Sequence, residues 1–257
     1  MKYYLVGIKG TGMSALALCL NDIGEMVIGS DTGKHYFTED ELIRRNIQIC
    51  IFDKNNIKEN KECIFIIGYA YNEHNNEEVK EILDNNYEHY YYGDFINNYF
   101  KNIKIGISGT HGKTTTTTIT KTFFNQNQIS YIIGDGQGKG KKGSKYLIFE
   151  ACEYKQHFLN YDYDYLVINN IDYDHPDYYN NINEVIVAFK NVSKKSKVFI
   201  INNDDVNCMN IKHNHKYTFG IKNKSYTTGS VLVENEKGYK IKVDVENRNF
   251  IFDLPFF

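Results

Sequence analysis

The sequence predicts an α/β protein with two domains in series. Short apolar runs alternate with amphipathic helical patterns over most of the 257 residues. This order favours a parallel sheet with helices on both faces. A strand, a glycine-rich turn and a helix follow one another near the N-terminus, and the same order returns at residues 103–124. A turn of this kind is a common phosphate-binding element, because it directs backbone N–H groups at one point.

The first domain begins with a buried strand in "YYLVGI" and a helix in "GMSALALCLNDIG". Three further apolar runs predict strands: "MVIGSD", "IQICIFD" and "CIFIIGYA". The segment "NEEVKEILDNN" predicts an amphipathic helix, whereas "YYYGDFINNYFKN" indicates a connection. We therefore expect the first domain to span residues 1–98.

The second domain, residues 99–257, begins with a strand in "IKIGIS". Four more strands are predicted in "SYIIGD", "KYLIFEA", "DYLVINNI" and "KVFIINND", with a helix at about 183–193 before the last. From about residue 216 the pattern changes to short runs that predict antiparallel strands. The segment "GDGQGKGKKGSK" (134–145) is rich in glycine and lysine and predicts a flexible, solvated loop.

Composition excludes several function classes. A net charge of -2 gives no electrostatic reason to expect nucleic acid or a membrane surface as a partner. No apolar run approaches the roughly 20 residues that span a bilayer. The five cysteines are scattered and form no CxxC pair, which is typical of free thiols in a reducing cytosol, so we expect a cytoplasmic protein.

The first glycine loop, residues 7–14, leads into a helix, and together with the next residue it gives the pattern G-x-G-x-x-A at Gly10, Gly12 and Ala15. Asp31 ends the next predicted strand, 19 residues after Gly12, where a ribose hydroxyl would lie in a dinucleotide-binding fold. The first domain is therefore predicted to be Rossmann-like. The loop itself indicates a diphosphate at a helix N-terminus, and NAD, FAD and UDP-sugars all carry one.

The second glycine loop, residues 109–114, reads "GTHGKT". We interpret it as the phosphate-binding loop of a P-loop-type ATP-binding domain. It misses the strict G-x-x-x-x-G-K-[ST] pattern, because Ile107 occupies the place of the first glycine. Lys113 would reach the β- and γ-phosphates, and the Thr114 hydroxyl would bind Mg²⁺. The predicted ATP-binding residues are Gly109, Thr110, His111, Gly112, Lys113, Thr114 and Thr115.

Five consecutive threonines, residues 114–118, begin the helix that follows. Threonine is a mediocre helix former, so the surrounding fold must stabilise this helix. A helical period places Thr116, Ile119, Thr120 and Phe123 on one face, which is predicted to pack on the sheet. Thr117 and Thr118 are interpreted as compositional drift.

Acidic and histidine residues follow two predicted strands. Glu150 and Glu153 follow one, and the next is followed by a cluster comprising Asp172, Asp174, His175 and Asp177. These strand ends should lie at the carboxyl edge where open α/β sheets bind ligands. His175 and one of these carboxylates are therefore predicted, with Thr114, to bind Mg²⁺ during phosphoryl transfer. The later "NNDD" (202–205) predicts either a turn or another edge of a nucleotide site.

Together these motifs resemble those of the ATP-dependent Mur ligases of peptidoglycan synthesis. The resemblance rests on "GIKGTGMS", "GSD", "GTHGKTTTT", "IGDGQGKG", "FEACEYKQHFL", "NNIDYDHPDYY" and "NNDD", in the family's order. It is strong over residues 3–205, and the "GMS" and "GTHGKT" segments point to the branch that uses L-alanine. It implies that the first loop binds the UDP of UDP-N-acetylmuramate, through Gly7, Gly10, Thr11, Gly12, Met13 and Ser14, with Asp31 nearby.

The implied reaction begins with ATP phosphorylating the lactyl carboxylate, after which the amine of L-alanine attacks the acyl phosphate. By this resemblance Lys113, Glu150 and His175 are the implied catalytic residues, and ATP and Mg²⁺ are the implied cofactors. It also implies that Glu150 and His175 join Thr114 as ligands of the magnesium site. Some relatives carry a carbamylated lysine downstream, for which Lys190 is a candidate, although a surface lysine is the interpretation we favour.

The resemblance also implies segments that this sequence does not contain. Family members have a third, C-terminal ligase domain and a late "HN" segment that contacts adenine. We therefore expect the central domain to be incomplete and the chain alone to be inactive. Three alternatives stay open: a related Mur-type ligase for another amino acid or for murein peptides, a non-catalytic nucleotide or UDP-sugar-binding fragment, and an NAD-dependent oxidoreductase.

Overall fold

A computed structural model describes residues 1–255 of the chain. The residues cluster into two compact units, each discontinuous in sequence. The first unit comprises Met1–Ile105, Lys113–Glu150 and Asn160–Asp162, and the second contains Gly106–Gly112, Ala151–Leu159 and the chain from Tyr163 onward. Among the described residues, none of the helices has the length and apolar character needed to cross a membrane.

The first unit contains a five-stranded parallel sheet in the order β3-β2-β1-β4-β5. Its strands are β1 (Lys2–Val6), β2 (Met26–Asp31), β3 (Gln48–Ile51), β4 (Ile64–Ile67) and β5 (His89–Tyr91). Most of them are short apolar runs, which suit strands that are covered on both faces. The predicted α/β class with a parallel N-terminal sheet is confirmed.

Five helices accompany this sheet: α1 (Thr11–Asp22), α2 (Glu39–Arg44), α3 (Lys54–Glu59), α4 (Glu77–Asp84) and α5 (Tyr92–Tyr99). Asn76 caps α4 by accepting hydrogen bonds from the N–H groups of Glu78 and Val79. The prediction that "YYYGDFINNYFKN" forms a connection is wrong, because this segment contains the end of β5 and the whole of α5. Phe95 is buried on α5, with its ring 5.3 Å from that of Tyr3, so tertiary packing stabilises a helix of weak intrinsic propensity.

The first unit also contains α6 (Lys113–Thr122), β7 (Ile129–Ile132), β8 (Gly138–Lys139) and β9 (Tyr146–Glu150). β7 pairs parallel with β9 and antiparallel with β8. The prediction of a flexible loop at 134–145 is therefore partly wrong, because β8 lies within it. A Cβ on Gly138 would lie 1.7 Å from the backbone oxygen of Ala15, so the glycine allows β8 to pack directly on α1.

The second unit has a mixed sheet in the order β15-β14-β13-β12-β11-β10, and the last residues of β6 (Ile103–Ser108) lie beside β10. Its strands are β10 (Tyr163–Ile168), β11 (Ser196–Asn202), β12 (Lys216–Gly220), β13 (Thr227–Asn235), β14 (Gly238–Val245) and β15 (Arg248–Pro255). Its helices are α7 (Ile182–Ser193) and α8 (Val206–Met209).

The sequence predicted that the last four strands are all antiparallel, and this prediction is wrong in part. β12 runs parallel to β11 and to the start of β13, and only β13, β14 and β15 pair antiparallel. Asp204 explains the local arrangement, because its carboxylate accepts hydrogen bonds from the N–H groups of Ile221, Lys222 and Asn223. These contacts agree with the interpretation of "NNDD" as a turn. The Asp204 carboxylate thereby fixes the loop that precedes β13.

Candidate functional site

The first glycine loop follows β1 and leads directly into α1. Gly7 has a left-handed φ of 82°, which favours glycine. The N–H groups of Gly7 and Ile8 both donate to the backbone oxygen of Ser30, at 2.9 and 3.0 Å. The hydroxyl of Ser30 in turn donates to Glu78, a buried carboxylate whose pKa is raised by burial. The loop is therefore anchored to the end of β2.

Asp31 stabilises the same loop from β2. Its carboxylate accepts hydrogen bonds from the N–H of Lys9 at 2.8 Å and from that of Thr32 at 2.7 Å. Asp31 is buried and also lines a cavity of about 450 Å³ above the loop. The predicted residues that line this cavity are Gly7, Gly10, Thr11, Gly12, Met13 and Asp31. Ser14 does not; it is buried, and its hydroxyl donates to the backbone oxygen of Thr11.

Lys9 is a cavity residue that the sequence analysis missed. Its ammonium group donates to the backbone oxygens of Thr32 and Lys34 and lies 2.9 Å from the carboxylate of Glu39. The hydrogen bond from Lys9 lowers the pKa of Glu39. The hydroxyl of Thr38, which also lines the cavity, donates to the backbone oxygen of Lys9 at 2.5 Å. Lys9 thus holds residues 32–39 against the glycine loop.

Tyrosine side chains form much of the remaining wall. A Cβ on Gly7 would lie 2.3 Å from the ring of Tyr71, and one on Gly12 would lie 3.1 Å from the hydroxyl of Tyr92. Burial raises the pKa of Tyr71 to about 12, with a further contribution from Asp31. Tyr71 lies in the loop after β4 and Tyr92 is the first residue of α5, and neither segment carries a nucleotide-binding signal in its sequence, so only the fold brings them to the site.

The second glycine loop follows β6. Gly109 and Gly112 have φ values of 134° and 76°, which favour glycine. In the second unit, the N–H groups of Thr110 and His111 donate to the backbone and side-chain oxygens of Asn170. The hydroxyl of Thr110 also accepts a hydrogen bond from the N–H of Asp172 at 2.8 Å. The segment after β10 therefore fixes the conformation of residues 109–112.

In the first unit, α6 begins at Lys113, and Thr114 occupies its first turn. The Thr114 hydroxyl donates to Glu150 Oε2 at 3.2 Å, and the N–H of Gly134 donates to Glu150 Oε1 at 2.7 Å. Burial raises the pKa of the Glu150 carboxyl. Mg²⁺ prefers oxygen ligands, and a hydroxyl beside a carboxylate supplies two of them. Thr114 and Glu150 are therefore chemically suited to hold the predicted Mg²⁺.

His175 lies in the second unit, beside a different carboxylate. Its Nε2 is 3.4 Å from Glu153 Oε1 and 4.0 Å from Asp174 Oδ2. Glu153, Asp174 and His175 each offer a ligand atom, and these atoms lie within 4.8 Å of one another. The predicted metal ligands Thr114, Glu150 and His175 are thus divided between the two units, and their common site remains a prediction. Lys190 is exposed on α7.

Comparison with known families accounts for both domains. Residues 2–102 match the Mur ligase family, catalytic domain, and residues 107–257 match the Mur ligase middle domain. The chain belongs to the Mur ligase family. The resemblance predicted from the glycine loops is confirmed at this level, although the matches do not distinguish one family member's substrate from another's.

Solved structures with the same fold include several Mur ligases. The UDP-N-acetylmuramate:L-alanyl-γ-D-glutamyl-meso-diaminopimelate ligase of Neisseria meningitides is 18% identical, with a TM-score of 0.79, over 96% of this chain and 85% of that one. The UDP-N-acetylmuramate–alanine ligase MurC of Thermotoga maritima is 23% identical, with a TM-score of 0.77, over 99% and 61%. A murein peptide ligase of Psychrobacter arcticus is 17% identical, with a TM-score of 0.79, over 100% and 61%.

This Mur ligase chain therefore spans 61% of the length of two of these relatives. Identities below 25% establish a shared fold and leave the substrate open. A MurF ligase of Thermotoga maritima, solved in complex with ADP, shares the fold at a TM-score of 0.57 over 93% of this chain.

Proposed function

We propose that this chain binds UDP-N-acetylmuramate at the first glycine loop and ATP with Mg²⁺ at the second. We also propose that the Mur ligase that carries this sequence joins L-alanine to the sugar's lactyl carboxylate. The observation that supports this most directly is the contact between Thr114 and Glu150 immediately after "GTHGK", within a middle domain of the Mur ligase family. It combines a phosphate-binding loop with oxygen ligands for a divalent cation.

In the proposed reaction, a carboxylate oxygen of the substrate attacks the γ-phosphorus of ATP. The bond between the γ-phosphorus and the β–γ bridging oxygen breaks, which gives ADP and an acyl phosphate. The amine of L-alanine then attacks the acyl carbon, loses a proton and expels phosphate. Lys113 would hold the β- and γ-phosphates during the first step. Thr114, Glu150 and His175 would bind Mg²⁺, which neutralises charge on the transferred phosphoryl group.

The first cavity supports a ligand that carries a diphosphate. Three glycines allow a close approach to the backbone at the start of α1, and a helix N-terminus favours negative charge. Because Lys9 is bound to Glu39 and to two backbone oxygens, its charge is directed into the protein. Recognition at this cavity would therefore rely on backbone N–H groups and on tyrosine hydroxyls.

Binding to the first cavity can be tested on this chain by calorimetry with UDP-N-acetylmuramate and with NAD. We expect UDP-N-acetylmuramate to bind and NAD to bind at least tenfold more weakly, a difference of about 1.4 kcal/mol. Gly12→Val should abolish binding, because its side chain would occupy the space beside Tyr92. Gly33→Ala is a matched control, since the nearest atom to its Cβ would be 3.7 Å away. Equal or tighter binding of NAD would favour the oxidoreductase alternative.

A murein peptide ligase is the second candidate, because two structures of that class share the fold at a TM-score of 0.79. A substrate screen distinguishes the candidates. Protein that carries this sequence with whatever follows it in the reading frame is supplied with ATP, Mg²⁺ and UDP-N-acetylmuramate. L-alanine or the tripeptide L-alanyl-γ-D-glutamyl-meso-diaminopimelate is then added. Phosphate release that depends on L-alanine supports the proposal, and release that depends on the tripeptide supports the alternative.

A further inference from the structure

The imidazole of His175 has a buried carboxylate on one side. Glu153 is 1% exposed, and its Oε1 lies 3.4 Å from Nε2 of His175, slightly beyond the roughly 2.7–3.2 Å of a typical N–H···O hydrogen bond. The His175 side chain is 31% exposed. Nε2 is therefore directed at a carboxylate inside the second unit, and Nδ1 is the ring nitrogen that remains to bind a ligand.

Both members of this pair are held by their neighbours. The backbone oxygen of Glu153 accepts hydrogen bonds from the Tyr179 hydroxyl at 2.6 Å and from the N–H of Gln156 at 2.9 Å. The ring of Tyr154 lies 4.6 Å from the imidazole, centroid to centroid. The Tyr154 hydroxyl donates to Asp177 at 2.6 Å, which fixes that ring in turn. The orientation of the imidazole is therefore set by packing as well as by charge.

We propose that Glu153 is a positioning residue for His175. Its carboxylate accepts the N–H of Nε2, selects the Nε2-protonated tautomer and thereby presents the Nδ1 lone pair to the divalent cation. A neutral imidazole has one donor and one acceptor nitrogen, so fixing one fixes the other. Histidines that bind metals commonly donate their second ring N–H to a carboxylate. This inference rests on the proposed role of His175 as a metal ligand.

The end of β9 and the short segment after it would then supply two carboxylates with different tasks. Glu150 would bind the cation directly, and Glu153 would orient the histidine. The alternative is that Glu153 binds the cation itself, together with Asp174 and Nε2 of His175. The burial of Glu153 favours the positioning role, because Mg²⁺ usually keeps several waters and needs open space around its ligands.

The tautomer can be measured directly on this chain. Long-range ¹H–¹⁵N correlation spectra of ¹⁵N-histidine-labelled protein distinguish protonated from unprotonated ring nitrogens, and His175→Gln assigns the signals. We expect Nε2 to be protonated in the unmodified chain. Glu153→Leu should remove this preference, whereas Glu153→Gln should retain it, because its amide oxygen still accepts the hydrogen bond. Asp174→Asn is the matched control, since its oxygen lies farther from Nε2, and it should leave the tautomer unchanged.

Mn²⁺ binding in the presence of ADP, followed by electron paramagnetic resonance, gives the second readout. Loss of such a positioning carboxylate commonly weakens metal binding about 10- to 100-fold, and we expect this for Glu153→Leu. Glu153→Gln and Asp174→Asn should stay within about threefold of the unmodified chain. Thermal unfolding checks that each variant folds; if Glu153→Leu does not, the unmodified chain and Glu153→Gln still decide.

Two results would overturn the proposal. The first is a protonated Nδ1 at His175 in the unmodified chain. The second is a loss of Mn²⁺ affinity in Glu153→Gln and Asp174→Asn as large as in Glu153→Leu, which would make Glu153 a ligand. If no variant or unmodified chain binds Mn²⁺ near His175, the metal assignment in the proposed function fails, while the tautomer still tests the role of Glu153.

Discussion

The two glycine loops share a strand–glycine–helix plan and differ in what surrounds them. In the first loop, Lys9 is buried and donates to two backbone oxygens and to Glu39. In the second loop, Lys113 begins a helix whose next residue, Thr114, contacts Glu150. The first loop thus uses its lysine to build the walls of a cavity, whereas the second is followed by polar groups suited to phosphates and a cation.

The helices that follow the loops differ in the same way. All residues at 13–20 of α1 are buried, including Ser14, whereas Thr117 is the buried residue that α6 contributes. A helix buried over two turns holds its N-terminus in a fixed position, which suits tight binding of one ligand. A helix with little burial depends on a few contacts. Local sequence therefore identifies a phosphate loop, and its surroundings decide between binding and chemistry.

The largest expected effect distinguishes the two lysines. Lys113→Met in the complete protein, meaning this sequence with whatever follows it in the reading frame, should reduce kcat about 10²- to 10³-fold, because an electrostatic partner of the transferred phosphoryl group is lost. Its effect on the affinity for UDP-N-acetylmuramate should be small. Steady-state phosphate release and calorimetry measure the two quantities. Turnover near that of the unmodified protein would remove the assigned difference between the loops.

The next effect concerns the packing of β8 on α1. Gly138→Ala should destabilise the first unit by about 1–3 kcal/mol, because its Cβ would overlap the backbone oxygen of Ala15. Lys142→Ala, at an exposed neighbouring position, is the control and should change stability by less than about 0.5 kcal/mol. Thermal unfolding of this chain measures both. Equal midpoints for the two variants would mean that residues 134–145 form the flexible loop that the sequence predicted.

A smaller effect is expected at the first lysine. Lys9→Met should weaken binding of UDP-N-acetylmuramate about tenfold, because residues 32–39 lose the hydrogen bonds that hold them against the cavity. In the complete protein, the KM for this substrate should rise more than kcat falls. A loss confined to kcat would instead place Lys9 with Lys113 in the chemistry, and the comparison between the loops would break down.

Much of the fold followed from short-range patterns. Four strands of the first unit's parallel sheet, β1 to β4, and the strands β7, β9, β10 and β11 were predicted, because buried strands read as continuous apolar runs. The fifth strand of that sheet, β5, was not predicted. The helix α5 was missed, since glycine and asparagine weaken its pattern and buried Phe95 supplies the stabilisation. The parallel pairing of β12 was missed for a related reason: Asp204 holds a distant loop, and no local pattern records that contact.

The same contrast between short-range patterns and distant contacts applies to the candidate site, of which the sequence predicts only a part. Glycines, Lys113 and Thr114 form contiguous motifs, so the sequence identifies them directly. Tyr71 and Tyr92 line the cavity because the fold brings separate segments together, and Lys9 lies inside the glycine loop at a position that the glycine pattern leaves open. Glu153 was noted in the sequence, but its position beside His175 depends on two segments more than 20 residues apart.

The smallest expected effect concerns the threonines of α6, where the prediction was wrong for Phe123, which is 68% exposed. Thr117, interpreted from the sequence as drift, is fully buried, and its hydroxyl donates to the backbone oxygen of Lys113 at 2.9 Å. Thr117→Ala removes a buried methyl group and this hydrogen bond, and gains helix propensity in return. We expect a net loss of about 1 kcal/mol. The hydroxyl of exposed Thr122 donates to the backbone oxygen of Ile119 at 2.7 Å, a bond that water can replace. The same substitution there brings mainly the gain in propensity and should stabilise the chain by up to about 0.5 kcal/mol.

The opposite signs of these two substitutions make the test sharp, because a general effect of threonine on the helix would move both in the same direction. Thr117→Val separates the two contributions at the buried position, since it keeps the methyl group and removes the hydroxyl. Chemical denaturation of this chain and its three variants gives the free energies of unfolding. If Thr117→Ala is as stabilising as Thr122→Ala, burial does not hold α6 in place. The position of Lys113 at its N-terminus would then depend on the glycine loop alone, and the first loop would be the only one of the two whose helix is fixed by packing.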